Sequence, residues 1–319
     1  MSIFSHRLLF VVGKGGVGKT TVSAALGMTA TKLNKTVLLV EVSEADAIGQ
    51  IFDCGTLPDI PSQIQPNLWG VRINTRSVLQ EYIRLHVGIP FIASRIVNSK
   101  IFDHIFAATP GLKEVMTLGQ IWRWEQGKTF DNCPHFDLII VDAPATGHGV
   151  SLLMLPQTLI NMLRVGPIVE QTREVHYLLT DPIKTAMTLV TIPEELPVNE
   201  SLEFKSIALE KLNMPVQMTF INSVYPDDFT ASDAESIEAQ IKEAEQKEHL
   251  TKFKPILELA QSTMKRRQLQ QSYIERIYAN AENNETIIEF PFVFSHHLTT
   301  RDLEPMSDIL QKHHAACAL

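Results

Sequence analysis

A glycine-rich stretch near the start of the chain constrains the fold more than any other feature of the sequence. It reads Gly-Lys-Gly-Gly-Val-Gly-Lys-Thr-Thr over residues 13–21, between an apolar run at residues 8–12 and a helical pattern that begins at Thr21. A strand, a glycine turn and a helix in this order bring backbone N–H groups and the positive end of the helix to one point. The pattern therefore predicts a phosphate-binding loop, and the alternative, a glycine turn without a ligand, is not typical of this context.

The residues of this loop have different chemical tasks. Lys19 would place a positive charge at the β- and γ-phosphates of a nucleotide, and the Thr20 hydroxyl is a ligand for Mg²⁺. The other members present backbone N–H groups or begin the helix, and they are Gly13, Gly15, Gly16, Val17, Gly18 and Thr21. The expected ligand is a nucleotide with Mg²⁺.

Composition and charge limit the kind of partner. The 319 residues are 45% hydrophobic and 20% charged, with a net charge of −8, which is typical of a globular protein and argues against nucleic acid as the main partner. Three distant cysteines without metal-ligand spacing, Cys54, Cys133 and Cys317, indicate reduced thiols. The sequence shows neither a signal-peptide pattern nor a run of about 18 apolar residues, so we expect a cytoplasmic location.

Short apolar runs alternate with helical patterns, which indicates a mostly parallel sheet covered by helices. Strands are predicted at residues 8–12, 36–42, 68–73, 137–142, 186–192, 216–222 and 286–290. We also expect a proline-bearing linker at residues 57–66, a helix at 201–212, a long helical region at 230–281 and a last helix from about residue 302.

These elements predict one domain without internal repeats. Residues 1–319 would form a single doubly wound α/β domain, with helical insertions at about 77–130 and 149–181 that together make a helical subdomain.

Asp142 ends an apolar strand, where a carboxylate can reach the Mg²⁺ shell beside Thr20. Any aspartate in such a position can instead cap the turn that follows. The residues after it therefore decide between the two interpretations.

Lys14 makes the glycine loop more specific. The pattern K-G-G-x-G-K-T at residues 14–20 resembles the loop of a family that includes partitioning ATPases, nitrogenase iron protein and the arsenite-pump ATPases. This resemblance implies that Lys14 crosses a dimer interface and neutralises phosphate charge in the partner's site, as an arginine finger does. The sequence alone equally allows a solvated loop lysine.

The segment after Asp142 narrows the resemblance. Residues 142–148, Asp-Ala-Pro-Ala-Thr-Gly-His, are similar to the D-T-A-P-T-G-H segment of the arsenite-pump and tail-anchored-protein-targeting ATPases. That similarity implies that Gly147 and His148 belong to a switch that responds to the γ-phosphate of ATP. It extends to residues 192–196 and 266–273, and it implies that Asn222 reads adenine while Phe290 and Pro291 cover the base.

Three departures from the family pattern limit what the resemblance implies. Ser43 stands where the family has the aspartate that positions the attacking water, and Glu44 and Asp46 are the neighbouring carboxylates that could replace it. The zinc-binding CxxC falls on Ala260 and Thr263, which excludes a zinc-clasped dimer. The arsenite-binding cysteines also have no counterpart.

The resemblance implies an ATPase that works as a nucleotide-dependent dimer, either a homodimer or a heterodimer with a paralogue, coupled to a protein partner. Its candidate catalytic residues are Lys14, Lys19, Glu44 and Asp46. In the targeting ATPases the helical insertions bind an apolar helix of a client, and the alternative here is ordinary helix packing. A second hypothesis is a slow or non-hydrolysing scaffold that recruits a membrane or motility partner.

Overall fold

The computed structural model describes residues 2–42, 46–86, 95, 99, 111–128, 133–162, 167–282 and 284–317. Within these ranges the chain forms eight strands: β1 Leu8–Gly13, β2 Val37–Glu41, β3 Ser62–Gln65, β4 Leu68–Arg72, β5 Leu138–Asp142, β6 Thr185–Thr191, β7 Val216–Val224 and β8 Thr286–Pro291. The same ranges contain ten α-helices: α1 Lys19–Lys32, α2 Ala47–Ile51, α3 Thr75–His86, α4 Leu112–Glu125, α5 Thr146–Met162, α6 Pro167–Thr180, α7 Glu195–Ile207, α8 Ala231–Gln246, α9 Lys254–Ala279 and α10 Glu304–Cys317.

All eight strands belong to one sheet, in the order β3-β4-β2-β5-β1-β6-β7-β8. Every neighbouring pair is parallel except β3 and β4, which are antiparallel. The parallel strands therefore end at a common edge, where the crevices of doubly wound sheets bind their ligands. This confirms the predicted α/β fold class.

Alternating side chains divide the core between the two faces of the sheet. Leu9 and Val11 of β1 pack in a cluster with α1, α2 and α10, whereas Leu8, Phe10 and Val12 pack in a second cluster with α4 to α7. Helix α1 is buried from Thr21 to Ala30, as expected for a helix covered on all sides. The helix that starts at the glycine loop is thus held rigidly in the core.

The seven predicted strands are confirmed, and the eighth strand was missed. Residues 62–65 fall in the segment expected to be a linker, but Ser62 pairs with Gly70 and Gln63 with Trp69 to form β3 at the edge of the sheet. The sequence offered only one apolar residue there, Ile64, because an edge strand depends mainly on backbone pairing.

The helix expected at 201–212 begins earlier than predicted, and its last turn is not α-helical. α7 starts at Glu195, with Pro197 in its first turn, where a missing N–H costs nothing. A π-helical turn, Ala208–Leu212, then continues it to the end predicted from sequence.

Much of the predicted helical subdomain is helical in the described residues. α3 and α4 lie in the first insertion and most of α5 and α6 in the second, while residues 87–94, 96–98, 100–110, 129–132 and 163–166 lie outside the described part. The division into one domain with a subdomain stays a prediction. None of the helices in the described ranges combines the length and apolar character needed to cross a membrane.

Candidate nucleotide-binding site

The glycine loop joins β1 to α1 at the common edge of the sheet. Gly13 has φ 153°, and a Cβ there would lie 2.2 Å from the Val190 carbonyl oxygen. Gly18 has φ 91°, and a Cβ there would lie 2.2 Å from Asn222 Nδ2. Only glycine fits these two positions, which fix the loop between β6, β7 and α1.

The loop is otherwise open. Gly15 and Gly16 are exposed and Val17 is buried, so the loop presents its backbone to solvent while Val17 anchors it in the core. Thr20 and Thr21 follow Lys19 in the first turn of α1, whose N–H groups are available to an anion. The predicted phosphate-binding residues are therefore contiguous in space.

Lys19 directs its side chain back over the loop. Its Nζ donates a hydrogen bond to the carbonyl oxygen of Lys14 at 3.0 Å. Burial lowers the pKa of the Lys19 ammonium, and the nearby Asp142 carboxylate opposes this shift. A phosphate in the loop would supply the negative charge that this half-buried cation lacks.

Thr20 and Asp142 lie next to each other, although 122 residues separate them in the chain. Thr20 Oγ1 donates to Asp142 Oδ2 at 2.6 Å, and Ser23 Oγ donates to Asp142 Oδ1 at 3.4 Å. Burial raises the pKa of Asp142 to about 6, while these hydrogen bonds and Lys19 act in the opposite direction. A hydroxyl beside a buried carboxylate is the donor set that fits Mg²⁺ with a nucleotide phosphate.

The Lys14 side chain makes an ion pair outside the loop. Its Nζ lies 2.8 Å from Glu200 Oε1 on α7. Both side chains are partly exposed, at 29% and 41%, so this contact is weak and can be exchanged for another.

Asn222, the predicted adenine reader, packs against the loop. Its Nδ2 donates to the Val17 carbonyl oxygen at 3.0 Å, and only 7% of the residue is exposed. Phe290 is fully buried and its ring stacks on Phe220, with 5.2 Å between the centroids. The Phe290 ring therefore belongs to the core in this structure, whereas Pro291 is exposed at the end of β8. The adenine assignment stays a prediction.

Glu44 and Asp46 are the candidates to replace the missing aspartate, and of these two the structure describes Asp46. Asp46 adopts a left-handed backbone with φ 53°, and its Oδ1 accepts a hydrogen bond from Leu57 N at 3.1 Å. This contact connects the start of α2 to the following loop. Glu44, like Ser43, lies outside the described residues, and the catalytic role of both Glu44 and Asp46 stays a prediction.

Gly147 and His148 occupy the first turn of α5, directly after the segment that follows Asp142. This position puts the backbone of the predicted switch at the same edge of the sheet as the glycine loop, because β5 neighbours β1. Their role as a switch is a prediction.

Sequence reasoning missed one buried carboxyl group at this edge. Glu41, the last residue of β2, has 0% exposure. Its Oε1 accepts a hydrogen bond from Ala47 N at 2.8 Å, and no described residue donates one to Oε2. The signal in the sequence was the same as for Asp142: an acidic residue that ends an otherwise apolar strand.

The described part of the chain contains neither a disulfide nor a cluster of zinc-binding side chains. Cys54, Cys133 and Cys317 are free thiols, and no described group of three His, Cys, Asp or Glu residues has the geometry of a metal site. Ala260 and Thr263 lie on α9, at the positions where the zinc-binding pattern would fall.

The glycine loop, the hydrogen-bonded Thr20–Asp142 pair and the sheet order define the class of P-loop nucleotide-binding proteins. The family of anion-transporting ATPases matches residues 6–171 and 162–261. The chain belongs to this family.

Several proteins described as ATPases are similar in sequence to this chain. ATPase BagA of Mycobacterium tuberculosis is 33% identical over 227 residues, which cover 69% of this chain and 66% of the relative. An arsenical pump-driving ATPase of Escherichia coli is 30% identical over 242 residues, covering 68% of this chain but 39% of the relative. A protein of Entamoeba dispar described as an ATPase ASNA1 homolog is 26% identical over 259 residues, covering 69% and 77%. The matched part thus spans just under two thirds of the mycobacterial relative.

Proposed function

We propose that this protein binds ATP with Mg²⁺ at the glycine loop and hydrolyses it to ADP and phosphate. The observation that carries the proposal is the 2.6 Å hydrogen bond between Thr20 Oγ1 and Asp142 Oδ2, the two expected metal-binding groups, with Thr20 directly after Lys19 in α1. Thr20 would hold the ion directly and Asp142 would hold its water shell, while Lys19 binds the phosphates. The ion, when bound, supplies positive charge that neutralises the phosphates.

A second part of the proposal is that the active unit is a dimer, either of two copies or with a paralogue. The support for it is the resemblance of residues 14–20 to the family's loop, together with the weak, partly exposed ion pair with Glu200 from which Lys14 can be released. Positive charge placed near the transferred phosphoryl group from across an interface stabilises the transition state. Nucleotide binding would thereby switch the relative position of two subunits.

A phosphate-release assay on the purified protein tests the proposal against the second hypothesis. We expect Mg²⁺-dependent release that is lost in Lys19→Ala. Tight Mg²⁺-ATP binding without release over many hours would favour the non-hydrolysing scaffold, which Ser43 also favours, since a serine cannot act as a base there. The absence of ATP binding would contradict both.

We further propose that the helical subdomain receives apolar side chains from a helix of a partner protein. A cavity of about 320 Å³ lies between α3, α4, α5 and α6, and its walls include Val78, Met116, Pro156 and Val175. A cavity of this kind can receive the anchor side chains that project from one face of a helix. The buried Gln120 Oε1 in its wall has no hydrogen-bond partner among the described residues.

Fluorescence anisotropy with a labelled Leu/Ala helical peptide tests this binding. We expect Val78→Asp, inside the cavity, to weaken binding at least tenfold, and Ile183→Asp to leave it unchanged, because Ile183 is an exposed apolar residue outside the cavity. Equal binding by both variants would contradict the proposal. The cytoplasmic location remains an expectation, consistent with the three free thiols.

A further inference from the structure

Glu41 lies beside Asp142 at the carboxyl edge of the sheet. β2 and β5 are parallel neighbours, and Glu41 pairs with Asp142 in the last position of their register. Two acidic residues in directly opposed positions of adjacent strands face each other at short range. Like charges placed in this way are destabilising unless something neutralises them.

The side chains of Glu41 and Asp142 also lie on the same face of the sheet. Side chains alternate along a strand, so Glu41 shares the face of Leu39, and Asp142 shares the face of Ile140. Leu39 and Ile140 belong to the core cluster that contains α1. Glu41 therefore faces α1, the helix that carries Thr20.

Only one of the two carboxyl oxygens of Glu41 accepts a hydrogen bond from a described residue. Oε1 accepts the hydrogen bond from Ala47 N, which anchors the start of α2. Oε2 is buried and receives no hydrogen bond from any residue within the described ranges. A buried oxygen left in this way is costly unless a ligand completes it.

We propose that Glu41 is a positioning residue of the magnesium site, which together with Asp142 supplies the negative charge that holds hydrated Mg²⁺ beside the nucleotide. Mg²⁺ keeps several waters and is typically held by one or two carboxylates in addition to phosphate oxygens. Glu41 Oε2 is the acceptor for such a water, and Oε1 connects the metal to α2. This inference rests on the proposed Mg²⁺-nucleotide site and adds a second carboxylate to it.

The test is the affinity for Mn²⁺, which accepts the same oxygen ligands as Mg²⁺, in the presence of a non-hydrolysable ATP analogue. Free Mn²⁺ is followed by electron paramagnetic resonance with the full chain. Glu41→Gln removes the charge but keeps an oxygen that can accept from Ala47 N, so α2 stays anchored. We expect its Mn²⁺ affinity to fall about 10- to 100-fold, the usual effect of losing a group that supports a metal from outside its ligand shell.

Asp137→Asn is the matched control. Asp137 Oδ2 accepts a hydrogen bond from Thr36 N at 2.8 Å, so it is likewise a carboxylate that binds a backbone N–H between β2 and β5, but at the opposite ends of these strands. We expect its Mn²⁺ affinity to equal that of the unmodified protein. A second readout, the rise in Tm caused by Mg²⁺ beyond that caused by the analogue alone, should shrink in Glu41→Gln only.

The outcomes separate this inference from the function on which it rests. Unchanged Mn²⁺ affinity in Glu41→Gln, with normal binding in the unmodified protein, would overturn the role of Glu41 alone. An equal loss in both variants would also overturn it, since the effect would then be general. Failure of the unmodified protein to bind Mn²⁺ with the analogue would overturn the proposed magnesium site and this inference together.

Discussion

Lys14 Nζ lies 2.8 Å from Glu200 Oε1, so within one chain the loop lysine is neutralised by α7. At the proposed dimer interface, an unpaired Lys14 would repel its symmetry mate in the absence of nucleotide. The ion pair removes this repulsion, and in the proposed dimer Lys14 would have to leave Glu200 before it could reach a phosphate across the interface. Glu200 would therefore compete with the proposed dimer contact for Lys14.

The first prediction follows from this competition. Glu200→Gln should lower the protein concentration needed for the ATP-dependent dimer by about two- to fivefold for each ion pair that the dimer breaks, since an exposed ion pair contributes up to about 1 kcal/mol. Light scattering with a non-hydrolysable ATP analogue measures it. Glu203→Gln, an exposed carboxylate further along α7, is the control and should have no effect. Weaker dimerisation of Glu200→Gln would show that Glu200 supports the interface.

The two lysines of the loop should differ in what they contribute. Lys19→Ala should weaken ATP binding, because Lys19 lies over the loop in contact with the Lys14 carbonyl. Lys14→Ala should leave binding nearly intact and lower turnover by about 10³, the effect of a lost arginine finger. Nucleotide titration and phosphate release measure the two quantities, with exposed Lys312→Ala as control. Equal effects of Lys14→Ala on affinity and turnover would contradict the cross-dimer role.

Asp142 should make the stability of the nucleotide-free protein depend on pH. Its folded-state pKa is raised from 3.8 to about 6, so the folded form binds the proton more tightly than the unfolded form, and stability is lost as the pH rises through this interval. The shift corresponds to up to about 3 kcal/mol. Asp142→Asn should therefore unfold at higher urea concentration than the unmodified protein at pH 8, with the difference vanishing near pH 4.

The same variant should lose the stabilisation by Mg²⁺. With ATP analogue present, Mg²⁺ should raise the Tm of the unmodified protein, and this rise should be absent in Asp142→Asn. If Asp142→Asn is instead less stable than the unmodified protein at pH 8, the pH prediction is wrong. The hydrogen bonds of Asp142 with Thr20 and Ser23 would then stabilise the fold by more than the burial of its charge destabilises it.

Adenine should be preferred over guanine. Asn222 Nδ2 donates a hydrogen bond to the Val17 carbonyl oxygen. The resemblance to the family implies that Asn222 and the segment around Pro291 bind the base. An amide oxygen can accept from the exocyclic amine of adenine, whereas guanine presents a carbonyl there. Competition of GTP and ATP for a fluorescent nucleotide measures the preference. Equal competition would contradict it, and loss of all binding in Asn222→Ala would indicate that Asn222 only supports the loop.

Removal of zinc should leave the assembly unchanged. Ala260 and Thr263 provide no thiolate on α9, and the described residues contain no group of three His, Cys, Asp or Glu side chains arranged to bind zinc. Light scattering with and without a zinc chelator, each with the ATP analogue, measures the molar mass. A dimer that dissociates with the chelator would contradict the predicted mode of assembly.

Local sequence determined those parts of this protein that depend on neighbouring residues. The glycine loop could be predicted because the turn itself requires positive φ angles at Gly13 and Gly18, which favour glycine. The seven strands with apolar runs could be predicted because burial on both faces of a parallel sheet requires continuous apolar character. Asp142 could be located because it ends such a run.

Tertiary structure alone decided which distant groups meet. β3 exists because β4 offers a free edge, which no periodicity in residues 62–65 reveals. Lys14 meets Glu200, and Glu41 meets Asp142, because strand order and helix placement bring separate segments to one edge. Such contacts depend on the packing of the whole sheet. Sequence periodicity reports only whether a residue is buried, and the neighbours against which it is buried follow from the topology.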